Sequence, residues 1–141
     1  MISELSLSTA LVTLTVTVHG AGLIILARLL RLETRHEATE HLHPQSLRSL
    51  AVLLLAILAL IALHGVEIWL YAFVYLLIGA VGDLRDAVYF STITYGAFGY
   101  SDALMAERWR LVSAIEGING IIMIGWSTAF LIRMVGLVRR A

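Results

Sequence analysis

Residues 92–102 read TITYGAFGYSD. Two long apolar runs flank this stretch, yet it has no apolar pattern of its own. It holds Gly96 and Gly99, Thr92, Thr94 and Ser101, the tyrosines 95 and 100, and a closing Asp102. The preceding residues, GDLRDAVYFSTITY over 82–95, predict a short helix. Asp83 suits the N-cap, and Asp86 three residues later favours the positive helix end. Gly96 and Gly99 then stop it. A helix of about a dozen residues spans roughly 18 Å, too short to cross a bilayer. A short helix, bare backbone and then a long apolar run describe a re-entrant helix and loop. Backbone at membrane depth is tolerated only where protein buries it or where it lines water. One copy of a small chain cannot bury it. Several copies around an axis can, so a symmetric oligomer with a central path is expected.

The remainder of the chain agrees with a membrane setting. Of 141 residues 60% are hydrophobic and the mean hydropathy is +0.89, more apolar surface than a soluble domain of this length can hide. The first expected span is residues 9–30, TALVTLTVTVHGAGLIILARLL. The second begins near Leu47 and runs to about Gly79; the third covers residues 109–135. In the second, WLYAFVY reads as an aromatic belt, with Trp69, Tyr71 and Tyr75 at headgroup depth. There is no repeat, no cysteine and no cleavable leader pattern. The net charge of zero offers no attraction to nucleic acid. The expected fold is therefore all-α and integral to the membrane: three transmembrane helices with the re-entrant helix and loop between the second and third.

All ten basic residues are arginine. Arg28, Arg31, Arg35 and Arg48 flank the first loop, and Arg133, Arg139 and Arg140 close the chain. Arg85, Arg108 and Arg110 lie in the second loop. Seven against three places the first loop and the C-terminus in the cytoplasm and the N-terminus outside. The linker also carries His36, His41 and His43, which suit a metal or a pH response; a solvated loop is the ordinary reading of H-x-H.

AVYFSTITYGAFGYSD, residues 87–102, resembles the pore helix and filter of the tetrameric potassium-channel family, whose core reads T-x-T-T-V-G-Y-G-D. Thr94, Gly99, Tyr100 and Asp102 fall on matching positions, and Tyr89 and Phe90 match the aromatic pair of the pore helix. RLVSAIEGINGIIMIG resembles the inner helix, with Gly120 at the hinge glycine. The resemblance covers about residues 47–135 and is similar to small bacterial two-span channels. It divides the chain into an added span and linker, residues 1–46, and a pore module, residues 47–141.

The resemblance implies a homotetrameric passive cation channel in a bacterial inner membrane. Its partners are copies of itself and the bilayer. It needs no cofactor, and its only metals are permeating potassium or sodium. Carbonyl oxygens of Ala97, Phe98, Gly99, Tyr100 and Ser101 would replace the ion's hydration shell. Tyr89, Phe90, Thr94, Gly96, Asp102 and Glu116 would support that strand. The strand departs from the family core. Gly96 and Ala97 replace the paired threonines, so the innermost ion site loses a ring of hydroxyls. Ser101 replaces a glycine of left-handed backbone, at a cost of about 1–2 kcal/mol per chain. Phe98 replaces a valine. Potassium selectivity below the family norm is expected.

Glu116 and Asn119 share one face of the third span. An intramembrane carboxylate marks function by default, and Glu116 is read as bracing the filter loop or reaching headgroups. His64 and Glu67, one turn apart on the second span, are possible partners for Glu116 or Asn119. His19 beside Gly20 and Gly22 reads as a helix-contact position. Thr13, Thr15 and Thr17 are expected to bond their own helix carbonyls. Gly117, Gly120 and Gly125 fit hinges or close packing. No catalytic motif is present, and no enzyme activity is expected. A non-conducting assembly or sensor protein derived from a channel, or a small transporter, are the alternatives.

Overall fold

The computed structural model describes residues 1–40, 47–99 and 104–138. All regular structure among them is helical. α1 spans Ile2–Glu40, α2 Leu47–Leu77, α3 Leu84–Tyr95 and α4 Arg110–Val138, the last entered through a 3₁₀ turn at Glu107–Trp109. Three stretches are long and apolar enough to cross a membrane: Ile2–Leu30, Leu50–Leu77 and Glu107–Gly136. The first starts seven residues before the expected boundary, because the serines and threonines of ISELSLST bond back to their own helix. Ser8 Oγ donates to the Glu4 carbonyl and Thr9 Oγ1 to that of Leu5. Thr13, Thr15 and Thr17 do the same, as expected.

α3 forms where the sequence places it. Asp83 is its N-cap, in extended backbone, and accepts from the Asp86 N–H at 3.0 Å. Its 12 residues make a rod of roughly 18 Å. The chain leaves α2 at Ala80 and returns beside it, for the Ala106 N–H donates to the Ala80 carbonyl at 2.9 Å. The chain before α3 and the chain before α4 therefore meet at one end of the bundle. α3 packs between α2 and α4, while α1 packs on the other side against α4 and α2.

The interior is layered along the helices. One end is an apolar cluster of Leu11, Tyr71, Ala72, Tyr75, Phe90 and Val112, among others. The opposite end is Leu30, Val52, Ala56 and Met134. Between them lies a buried polar band of Thr15, His19, Glu67, Glu116, Asn119 and Ser127. Many large apolar side chains, among them Leu54, Leu55, Ile61, Ile118 and Ile132, face outward. Polar groups inside and apolar ones outside is the arrangement a lipid solvent favours.

Two readings are corrected here. Tyr71 and Tyr75 do not form a headgroup belt. They are fully buried, and only Trp69 of that trio is exposed. Their hydroxyls find partners inside the bundle, and this draws that helix face inward. Among the described residues Glu67 and His64 do not pair with Glu116 or Asn119; each carboxylate has its own set of partners.

Candidate functional site

The end of α3 is the best-defined feature of the region singled out by sequence. The Phe98 N–H donates to the Ile93 carbonyl at 2.9 Å and the Ala97 N–H to that of Thr94 at 3.1 Å. This is a Schellman closure, in which the residue after the cap takes left-handed backbone. That residue is Ala97, with φ 55°. Phe98 then folds back over the cap, 84% exposed, and a Cβ on Gly96 would meet its ring at 2.5 Å. Gly99 is the last described residue of this stretch, while Tyr100, Ser101 and Asp102 lie outside the described residues.

α4 receives this end of α3 near the middle of the Glu107–Gly136 span. A Cβ on Gly120 would collide with the Tyr95 carbonyl, and one on Gly117 would stand 3.4 Å from that of Thr94. Gly120 thus has a packing requirement in the fold, whatever part it plays in bending. Of the expected supporting residues, Phe90 is fully buried and meets Tyr75 edge-on at 5.8 Å. Tyr89 points outward, 58% exposed. Thr94 is buried, and its hydroxyl has no hydrogen-bond partner among the described residues.

Two carboxylates hold α3 from behind. Glu116, fully buried on α4, accepts from Tyr75 Oη of α2 and from Ser91 Oγ of α3, both at 2.5 Å. Among the described residues it therefore grips α3 itself, and it does not reach headgroups. Glu67 of α2, equally buried, accepts from the Tyr95 hydroxyl at the last turn of α3 and from His19 Nδ1 of α1 at 2.8 Å. His64 Nδ1 lies 3.0 Å from Tyr95 Oη. The phenol proton is spent on Glu67, so His64 is the donor in that pair. His19 Nε2 stands 3.3 Å from Ser127 Oγ on α4. Asn119 Nδ2 donates to Thr15 Oγ1 at 2.9 Å and lies 3.4 Å from Tyr71 Oη. Every helix contributes to this band. A buried carboxylate stripped of one donor keeps its desolvation penalty, so these contacts fix helix positions more than they add stability.

Sequence reasoning found Glu116, Glu67 and His64 but missed the link from Glu67 to Tyr95 and His19. The visible signal was the one-turn spacing of His64 and Glu67. His36, His41 and His43 remain outside the description: His41 and His43 lie outside the described residues, and His36 lies in α1 where side chains are undescribed.

A short helix braced by buried carboxylates between two spans calls for comparison with known proteins, and a family model described as ion channel matches residues 52–136. The chain belongs to the ion-channel family. The match covers well over half of it and is consistent with the two-span potassium-channel pore. No curated protein and no solved structure matches the chain. In this ion channel the matched stretch begins in α2 and ends in α4, so α1 lies before it. Even so, α1 supplies His19 to Glu67 and Thr15 to Asn119. The added helix is thus wired into the polar core of the matched module. The ion channel is a multi-pass membrane protein with three membrane-competent helices.

Proposed function

We propose that this ion channel is a passive pore for monovalent cations, built from four copies around an axis. α3 is its pore helix and residues 97–101 its filter strand. The observation that carries the reading is the excursion of residues 81–105. It starts and ends at one end of the bundle, and α3 stops against the middle of α4. In a bilayer that is a helix entering halfway, with its negative C-terminal end aimed at the membrane centre, where it favours a cation. The loop that follows then needs other copies to cover it. The exposed Phe98 ring is one surface such copies would cover. Potassium or sodium is the permeant, no cofactor takes part, and the N-terminus lies outside with the C-terminus in the cytoplasm.

Discrimination between the two ions is weak in this reading. The filter begins in a left-handed alanine rather than a hydroxyl-bearing residue, and Ser101 stands where the family core has glycine. Selectivity depends on the number and placement of oxygen dipoles. The test is the reversal potential under a potassium–sodium gradient in liposomes. Ala97→Thr with Ser101→Gly is expected to shift it toward the potassium limit. A wild type already at that limit and unmoved by the double replacement overturns the selectivity claim. Absence of flux in wild type and variant alike favours the non-conducting assembly. Native mass measurement giving a monomer or trimer overturns the tetramer. Glu4→Cys and Arg140→Cys should react with impermeant reagent from opposite faces; labelling from one face overturns the orientation.

A further inference from the structure

We propose that His19, His64 and Glu67 hold a divalent transition-metal ion of the zinc class in the centre of the helix bundle. The site is separate from any filter, and the inference stands whether or not the pore conducts. His19 comes from α1, and His64 and Glu67 come from successive turns of α2. Their ligating atoms all lie within 4.8 Å of one another. Glu67 Oε1 is 2.8 Å from His19 Nδ1, and Oε2 is 3.6 Å from His64 Nδ1. Ligands about 2.1 Å from a tetrahedral ion stand roughly 3.4 Å apart. The observed separations bracket that value, so small side-chain shifts admit an ion. Two imidazoles and one carboxylate are borderline ligands of the kind zinc and its neighbours take.

The surroundings are those of a metal site as well. With Nδ1 given to the ion, the His19 ring proton sits on Nε2 and donates to Ser127 Oγ, 3.3 Å away. Such a partner behind a ligating histidine fixes its tautomer. With His64 Nδ1 turned to the ion its ring proton moves to Nε2, and the Tyr95 hydroxyl, 3.0 Å from that Nδ1 and bonded to Glu67, places an oxygen beside the ion as a fourth ligand. Ionisable groups inside a membrane are costly, and three converging there call for a reason. A divalent cation meets the Glu67 charge directly. Glu67 and His19 are fully buried, whereas His64 is 18% exposed and gives the way in. An ion here would tie α1 to α2 beside the last residue of α3.

The experiment uses the full chain in detergent micelles without a polyhistidine tag, with His36, His41 and His43 changed to Ala to remove the linker histidines. Co²⁺ is the probe. The expected result is one Co²⁺ per chain with the visible d–d absorption of a tetrahedral site, displaced by Zn²⁺. His64→Ala, at the partly exposed ligand, should weaken binding at least 100-fold, and Ser127→Ala by about 10-fold. A second readout needs no ligand variant. Trp126 packs on His19 at 5.4 Å, so in a Trp69→Phe, Trp109→Phe background bound Co²⁺ should quench its fluorescence. No d–d band, no quenching, or binding unchanged by His64→Ala overturns the proposal. The cluster is then a hydrogen-bonded brace only.

Discussion

Two helices in this protein end by the same hydrogen-bond pattern with different residues at the decisive position. After α2, the Ala80 N–H bonds the Tyr75 carbonyl, the Gly79 N–H bonds that of Leu76, and Gly79 takes φ +65°. After α3 the same two bonds close around Ala97, at φ 55°. The first cap uses the residue that adopts left-handed backbone without penalty, and the second does not. Their surroundings differ too. A Cβ on Gly79 would meet nothing within 4 Å, while the end of α3 presses on Gly120 and is gripped through Tyr95 and Ser91. The relaxed cap leaves open space at its left-handed residue, Gly79, and the strained one is held by its neighbours. That is the pattern expected where a backbone shape serves function rather than folding.

The comparison breaks most severely if the neighbours are removed. Gly120→Val puts a branched side chain into the Tyr95 carbonyl and is expected to cost about 3 kcal/mol or more, enough to lose the folded protein in detergent. The check is the yield of a single size-exclusion peak with wild-type helix content. Gly125→Val, where no atom stands near the added Cβ, should leave that peak unchanged. Next in size is Tyr95→Phe. It removes a donor from Glu67 and the acceptor of His64, and an unsatisfied buried group costs about 1–3 kcal/mol. Its thermal midpoint should fall, and Glu67→Gln should fall comparably. If both midpoints stay at the wild-type value, the α3 cap is not held from behind. The smallest effects sharpen the contrast. Gly79→Ala should destabilise by about 1–2 kcal/mol, and Ala97→Gly should stabilise by up to about 1 kcal/mol. Opposite signs from the two caps, read as midpoints in one detergent, are the expected outcome.

What could be read in advance follows from these same residues. The cap at Asp83, the end of α3 before Gly96 and the number of spans depend on local signals: a carboxylate, a glycine, a run of apolar residues. They were legible. Which face of α2 turns inward was not. That helix is apolar all round, so no period distinguishes lipid from protein, and Tyr71 and Tyr75 looked like interface residues until their partners across the bundle were known. The pairing of Glu67 with Tyr95 and His19 joins residues 28 and 48 positions apart and depends on how four helices lie together. The left-handed turn at Ala97 was masked by the glycine one place before it, which attracts the expectation of a cap.

The His19–Glu67 contact also bears on how the protein is made. α1 reaches the bilayer first, carrying an imidazole that a membrane tolerates when neutral. Glu67 follows 48 residues later, a delay on the order of seconds during synthesis. An acidic side chain at the centre of a span costs about 3 kcal/mol to insert. With α1 already in place, α2 enters a membrane that holds a waiting donor, which offsets part of that cost. The order of the helices along the chain thus brings the donor before the carboxylate: the helix outside the channel match holds a partner for the first helix inside it.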